Sequence, residues 1–136
     1  MQFIMIKILK SKLHRARVTD THIDYEGSCA IDTNLLEASE IYEYEMIHIY
    51  NLNNGERFTT YAIKAEAGSG MITLNGAAAY KGKKNDLIII CSYIDIPRKE
   101  VKKHQPKLIY FKNNNNEIDK IKSSIPIQRK NNVVSI

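Results

Sequence analysis

The feature that most limits the fold of this chain is the shortness of its apolar runs. The longest uninterrupted run covers only residues 87–91, and shorter runs alternate apolar with polar residues, as half-buried strands do. Turn-forming pairs such as Asn54-Gly55 separate the runs at close spacing. Short strands with turns between them and little helix indicate a mainly β fold, a compact barrel with short helices.

The same pattern predicts where the elements lie. Asp32 or Thr33 can cap a short helix, and a short basic helix is expected from Pro97. Residues 75–86 are expected to form a small-residue loop with one helical turn, and the strand at 87–96 is expected to be the most buried. The segments predicted to be extended are 3–19, 22–25, 29–31, 44–51, 57–65, 71–75, 87–96 and 107–111.

A length of 136 residues indicates one domain with one continuous core. Residues 1–112 hold all the predicted strands and are expected to form the barrel domain. Four consecutive asparagines at 113–116 begin a polar, low-complexity stretch. Residues 113–136 are therefore predicted to be a polar linker and a C-terminal tail.

The net charge of +5 is unevenly distributed along the chain. Residues 1–96 hold ten Lys or Arg against twelve Asp or Glu, a balance of −2, whereas residues 97–136 hold ten against three, a balance of +7. A nucleic-acid-binding domain more often carries its basic face in the folded part. The excess is therefore interpreted as a solvated basic tail, and no nucleic-acid partner is expected.

The N-terminal residues do not form a signal peptide. Lys7 and Lys10 interrupt the apolar stretch and no small-residue cleavage site follows, so a cytoplasmic protein without a membrane partner is expected. Cys29 and Cys91 form no CxxC pair and are expected as free thiols. The histidines show no ligand spacing, so no metal site is predicted; they are His14, His22, His48 and His104.

The dipeptide Gly27-Ser28 can undergo an unusual reaction with its own backbone. The Ser28 Oγ can attack the carbonyl of Gly27, and the resulting ester can eliminate to dehydroalanine, which hydrolyses to a pyruvoyl group. Glycine lacks a Cβ and can adopt backbone geometries that bring its carbonyl within reach. The reaction needs a donor for the oxyanion and an acid–base group. Because Gly-Ser is also common in turns, the dipeptide alone does not establish this chemistry.

Four motifs around this dipeptide occur in order: KLHRARVT at 12–19, YEGSCAID at 25–32, NGERFTTYAI at 54–63 and NGAAA at 75–79. Together they resemble the aspartate 1-decarboxylases, pyruvoyl enzymes that make β-alanine for pantothenate, and the likeness covers residues 5–128. The resemblance implies a six-stranded double-psi β-barrel, a homotetramer with active sites between subunits, and self-cleavage into 1–27 and 28–136. Processing either proceeds alone or needs a maturation partner.

The resemblance also assigns the site residues. Ser28 becomes the pyruvoyl group, the only cofactor, and with Gly27 and Thr60 takes part in processing. Tyr61 is the proton donor, and Arg57 anchors a carboxylate of L-aspartate. The remaining substrate-binding positions are Thr60, Asn75, Gly76, Ala77, Ala78, Lys12 and Tyr25. The chain departs from the family pattern at Tyr50, where tryptophan is frequent, at Gly70, where a basic residue is common, and at Tyr80, where histidine is common.

The side-chain chemistry of Arg57 and Tyr61 suits the roles that the resemblance implies. A guanidinium can bind a carboxylate in a bidentate way that lysine cannot reproduce, and a phenol with a reference pKa of about 10 can donate a proton at neutral pH. Adjacent residues point to opposite faces of a strand. Thr60 and Tyr61 can therefore serve one reaction only at a bulge or across a subunit boundary.

Two other functions remain open on the sequence alone. A small barrel that binds DNA would use the basic residues 97–136 and would leave Gly27-Ser28 intact. An amidohydrolase would cleave the same bond but would expose Ser28 as a free N-terminal nucleophile, although this chain is short for such a fold.

Overall fold

The computed structural model describes residues 4–112 and 115–131, which contain nine strands. The strands are β1 (Met5–Arg17), β2 (Asp20–His22), β3 (Ser28–Asp32), β4 (Met46–Asn51), β5 (Arg57–Ala65), β6 (Ile72–Asn75), β7 (Leu87–Pro97), β8 (Lys107–Phe111) and β9 (Ile118–Lys122). Helix α1 (Thr33–Ser39) follows β3, and two short 3-10 helices, Gly76–Lys81 and Arg98–Lys103, follow β6 and β7. The predicted mainly β class is confirmed.

The strands form one sheet in the order β2-β6-β3-β5-β4-β7-β1-β8-β9. Neighbouring strands are mostly antiparallel, but β1 with β8, β2 with β6, and β3 with β5 pair in parallel. The described residues thus show nine strands where the resemblance implies six. Two of the nine, β2 and β9, are short strands at the two ends of the strand order, and the double-psi closure stays a prediction.

Strand β9 lies where the sequence predicted an unstructured linker. Residues 118–122 pair antiparallel with β8, and three of the five are exposed. An edge strand presents polar side chains to solvent while its backbone completes the ladder. Its composition is therefore that of a linker, and only the pairing identifies it as a strand.

The second strand also differs from its prediction. It covers Asp20–His22 rather than 22–25, since these three residues are the ones that pair, in parallel, with β6. The Tyr25 N–H donates to the His22 carbonyl oxygen at 3.3 Å, so the chain turns directly after β2. Ile23 and Tyr25 are consequently exposed in the turn that leads to Ser28.

The hydrophobic core lies on one face of the long strands. In β4, Ile47 and Ile49 are fully buried, whereas His48 and Tyr50 are half-buried on the opposite face. Burial of a Leu or Ile side chain contributes about 1.5–3 kcal/mol. The fully buried large apolar residues are Leu13, Ile31, Ile47, Ile49, Ile72, Leu74, Ile88, Ile90, Leu108, Ile109 and Val18.

The strand predicted to be the most buried, β7, is not the most buried. Ile94 and Asp95 of β7 are exposed, whereas every residue of β3 and β6 is buried. Strand β3 lies between β5 and β6 and is also contacted by α1 and by the first 3-10 helix. The strand that begins at Ser28 is therefore enclosed on both of its faces.

The cap of α1 also ties this region together. Of the two candidate caps it is Asp32 that acts, since its Oδ1 accepts from the Asn34 N–H at 2.8 Å. The same carboxylate accepts from the N–H groups of Gly68 and Gly70 at 3.0 and 2.8 Å. No helix within the described ranges is long and apolar enough to cross a membrane.

Candidate active site

Ser28 is the first residue of β3 and has no solvent exposure. Its Oγ donates to the carbonyl oxygen of Glu26 at 2.7 Å and accepts from the Nδ2 of Asn75 at 3.1 Å. The two residues face each other in the antiparallel ladder of β3 and β6. The structure thus brings together two of the predicted site residues, Ser28 and Asn75, in one hydrogen-bonded pair.

A residue that sequence reasoning missed holds this pair. Thr73 is buried two positions before Asn75, and its Oγ1 donates to the Asn75 Oδ1 at 3.2 Å. Because the carboxamide oxygen faces Thr73, the carboxamide NH2 faces Ser28. Side chains two apart on a strand share a face, which is the signal that could have identified Thr73.

The glycine that the backbone requires at this site is Gly76. It has a φ of +65°, and a Cβ there would lie 2.7 Å from the Cα of Gly27. At Gly27 itself a Cβ would meet nothing within 4 Å, and Gly27 is not among the glycines with positive φ. The close approach of the two backbones therefore requires glycine at position 76, and the suitability of Gly27 for the cleavage geometry stays a prediction.

A pocket of about 560 Å³ opens beside Asn75, the hydrogen-bond partner of Ser28. Its lining includes Tyr25, Ala30, Thr73 and Asn75. The neighbouring Ala77 is exposed and Ala78 is half-buried, both in the 3-10 helix that follows Gly76. Small side chains here leave the backbone of this turn accessible to a small ligand.

Strand β5 carries three predicted site residues on two faces. Its ladder with β4 is continuous from Arg57, opposite Tyr50, to Tyr61, opposite Met46. Arg57 and Tyr61 are exposed on one face and Thr60 is half-buried on the other. The bulge that would let Thr60 and Tyr61 point together is thus absent from this stretch of the β4–β5 ladder.

Tyr61 nevertheless lies near Ser28 along the sheet. In the parallel ladder of β3 and β5, Cys29 faces Ala62, so Ser28 and Tyr61 are each one residue earlier on neighbouring strands. Tyr61 is 37% exposed. No hydrogen bond joins the Tyr61 hydroxyl to Ser28 within the described part of one chain.

Arg57 and Lys12 lie on the opposite side of the sheet from the core. The Arg57 guanidinium stacks on the Tyr50 ring, with Cζ 4.0 Å from the centroid, and within the described ranges no carboxylate lies within 4.0 Å of it. Lys12 faces Cys91 across the β1–β7 ladder. Burial lowers the pKa of Lys12, partly offset by Cys91. Within the described residues neither cation forms a salt bridge, and their role in binding a substrate carboxylate stays a prediction.

His14, Cys29 and Cys91 are outside the predicted set of site residues. Burial, reinforced by Lys12 and Arg15, lowers the pKa of His14 to about 4, so that His14 is neutral at pH 7. Cys29 and Cys91 are buried free thiols. Among the residues that the structure describes, no group of three or more His, Cys, Asp or Glu could hold a metal ion.

Comparison with known proteins identifies the family to which the chain belongs. Residues 4–118 match the aspartate decarboxylase family model. The aspartate 1-decarboxylase of Halorhodospira halophila is 54% identical over 125 residues, covering 92% of this chain and 98% of that protein. Those of Pseudomonas aeruginosa and Methylococcus capsulatus are 54% and 53% identical over 121 residues, covering 89% of this chain and 95% of each relative. The resemblance seen in the motifs is confirmed, and the chain belongs to the aspartate decarboxylase family.

Proposed function

We propose that this protein converts L-aspartate to β-alanine and CO2 for pantothenate synthesis, after self-cleavage between Gly27 and Ser28. The observation that carries the proposal is the buried Ser28 hydroxyl held by Asn75 directly after Gly27. The match of residues 4–118 to the aspartate decarboxylase family supports it.

In processing, the Ser28 Oγ attacks the carbonyl carbon of Gly27. A C–O bond forms, the peptide C–N bond breaks, and a proton moves to the freed amine of Ser28. Loss of the Ser28 Cα proton then forms a Cα=Cβ double bond and breaks the Cβ–Oγ bond, which releases Gly27 as a carboxylate and leaves dehydroalanine. Water then hydrolyses the dehydroalanine. Its nitrogen leaves as ammonia, and a pyruvoyl group remains at the start of residues 28–136.

The residues around Ser28 suit this chemistry. Asn75 donates to the Oγ at 3.1 Å and so orients a lone pair of the nucleophile. Thr60, half-buried on the neighbouring strand β5, is the proposed donor to the oxyanion. Gly27 has free space at its Cα, so its carbonyl can rotate toward the hydroxyl during the reaction.

The pyruvoyl group, when formed, supplies an electrophilic carbonyl that accepts the electrons left by the departing carboxylate. The chain itself binds and orients the substrate. Arg57 holds the carboxylate that is retained, and Lys12 and Tyr25 lie beside the substrate. Backbone N–H groups of residues 76–78 line the opposite wall. Tyr61 returns a proton to the Cα position.

The distribution of these residues supports a site shared between subunits. Ser28, Asn75 and Gly76 form one group, whereas Arg57 and Lys12 lie on the outer face of the sheet with no anionic partner in the described part of the chain. Thr60 and Tyr61 point to opposite faces of a regular strand. A homotetramer of double-psi barrels, with each site between two copies, brings the two groups together.

We also place the protein in the cytoplasm. The buried free thiols Cys29 and Cys91 suit a reducing compartment, and Lys7 and Lys10 interrupt the apolar N-terminal stretch.

Denaturing electrophoresis with mass spectrometry tests the proposal. We expect two fragments, 1–27 and 28–136, with the long fragment lighter by one ammonia than a chain that begins with serine, and release of β-alanine from L-aspartate. A single intact band that persists after incubation with a cell extract would contradict self-cleavage. A free serine end would indicate the amidohydrolase alternative.

Ser28→Ala is the decisive variant. It should give one band and no β-alanine, because no hydroxyl remains to attack Gly27. Fragments cut at this bond in the Ser28→Ala protein would overturn the assignment. Cleavage of the purified wild-type chain alone would show that no maturation partner is needed, whereas cleavage only after an extract is added would identify a requirement for one.

A further inference from the structure

Two tyrosines outside the serine site are joined through their hydroxyl groups. The Tyr50 hydroxyl in β4 lies 2.8 Å from the Tyr93 hydroxyl in β7. Both side chains are half-buried on the face of the sheet opposite the core. Phenol pairs at this distance are hydrogen-bonded, so each ring restricts the position of the other.

Packing holds Tyr93 in place beneath this bond. His48 faces Cys91 in the β4–β7 ladder, and the His48 ring meets the Tyr93 ring edge-on, with centroids 5.1 Å apart and planes at 89°. Edge-to-face contact is a favoured aromatic geometry. The His48 ring also contacts the Tyr50 ring, with centroids 6.4 Å apart, so His48 packs against both phenols.

Tyr50 in turn supports Arg57. The two residues face each other in the β4–β5 ladder, and the guanidinium carbon lies 4.0 Å above the ring centroid. This distance is well within the range of about 6 Å for a cation–π contact. With no carboxylate within 4.0 Å of Arg57 in the described ranges, the Tyr50 ring is what orients the guanidinium.

We propose that Tyr93 is a positioning residue for substrate binding: its hydroxyl holds the Tyr50 ring in place, and the ring pre-orients Arg57 for the carboxylate of the substrate. This inference rests on the proposed function, which assigns Arg57 to that carboxylate. A flexible arginine loses rotamer freedom when it binds. A stacked arginine has lost part of that freedom before the substrate arrives, so its carboxylate contact is stronger.

The charge state of Tyr93 suits this role. Burial raises the pKa of Tyr93, and the hydrogen bond with Tyr50 raises it further. Tyr93 therefore remains a neutral phenol across the pH range of an ordinary assay. The bond does not switch with pH in that range.

A double-mutant cycle tests the inference. Tyr93→Phe removes one hydroxyl and should raise KM for L-aspartate by about two- to ten-fold, the value of one net hydrogen bond, with kcat within two-fold and normal self-cleavage. Tyr50→Phe, which leaves the contact of Tyr93 with Cys91 in place, should have the same effect. The double variant should be no worse than either single variant.

Tyr44→Phe is the matched control, because Tyr44 is an exposed tyrosine without a side-chain hydrogen bond in the described part of the chain, and it should leave KM unchanged. Additive effects of the two substitutions, an unchanged KM, or an equal loss of kcat would overturn the positioning role. If either single variant does not fold, the other single variant still decides the outcome by its KM.

Succinate binding separates this inference from the proposed function. Succinate presents carboxylates but has no amine to react, and its Kd for the wild-type protein can be measured by calorimetry. If the wild-type protein releases no β-alanine, the proposed function fails. A two- to ten-fold weaker succinate Kd in Tyr93→Phe, at about the magnitude of one net hydrogen bond, would still support the positioning role, and an unchanged Kd would overturn it.

Discussion

Thr73 decides which end of the Asn75 carboxamide faces Ser28. A carboxamide can present either an oxygen or an NH2 group, and only the NH2 group can donate to the Ser28 Oγ. The Thr73 hydroxyl donates to the Asn75 oxygen at 3.2 Å and so selects the orientation in which the NH2 group faces Ser28. Ser28, the proposed nucleophile, is thus oriented by two side chains on one face of β6.

Replacement of Thr73 by valine should therefore slow self-cleavage. Valine keeps the shape but removes the hydroxyl, and the loss of one hydrogen bond corresponds to about a two- to ten-fold lower rate. The fraction of uncleaved chain is followed over time on denaturing gels. Thr73→Ser, which keeps the hydroxyl, should cleave at nearly the wild-type rate, and a wild-type rate in Thr73→Val would exclude the orienting role.

Arg57→Lys tests the assignment of the substrate carboxylate. Lysine keeps the charge but lacks the planar fork, so a bidentate contact becomes a single one. Hydrogen bonds to charged groups contribute about 1.5–3 kcal/mol each, so kcat/KM for L-aspartate should fall about ten- to a hundred-fold.

Self-cleavage involves no substrate carboxylate and should proceed normally in Arg57→Lys. The fragments on a gel and the kinetics of β-alanine release should therefore respond differently. Failed cleavage would give Arg57 a role in folding or maturation, and an unchanged kcat/KM would remove it from the substrate site.

At the scale of elements, Asn116, which lies just before β9, joins two parts of the fold that are distant along the chain. Asn116 is 7% exposed. Its Oδ1 accepts from the Arg17 N–H, and its Nδ2 donates to the carbonyl oxygens of Arg17 and Gly70, all at 2.8 Å. Asn116, which the sequence places in a predicted linker, thus ties the end of β1 to the loop before β6.

Asn116→Ala should consequently destabilise the protein by about 2–4 kcal/mol, because three part-buried hydrogen bonds of a buried side chain are lost. The urea midpoint at a fixed protein concentration measures this effect. Asn115→Ala is the control, since Asn115 is exposed and bonds only locally to the Glu117 N–H. Equal midpoints for the two variants would show that Asn116 does not support the fold.

At the scale of the whole molecule, the assembly should not depend on the C-terminal tail. Residues 123–131 are exposed, and residues 132–136 lie outside the described ranges. The domain division that ends at residue 112 stays a prediction, although β9 extends the sheet beyond it.

Deletion of residues 129–136 should leave processing, activity and the tetramer nearly unchanged. Light scattering coupled to size exclusion measures the assembly, and gels measure the cleavage. Deletion from residue 118 onward is the informative contrast, because it also removes β9 and should destabilise the fold. Dissociation of the assembly in the shorter deletion would show that the tail contributes to it.

The sequence by itself determined the features that depend on residues a few positions apart. Alternation predicted the two faces of β4, Asp32 and Thr33 were the two predicted candidates for the cap of α1, and the motifs around Gly27-Ser28 predicted the family. Each of these features reflects local backbone preferences or a short contiguous pattern, which a single chain displays directly.

The tertiary structure alone decided the contacts between residues distant along the chain. Asn75 meets Ser28 across 47 residues, Gly76 packs against Gly27, and Tyr50 meets Tyr93 across 43 residues. Such contacts depend on strand order and register, which arise from burial of the whole core rather than from local preference. For the same reason a polar segment became β9, since pairing with β8 outweighs its composition.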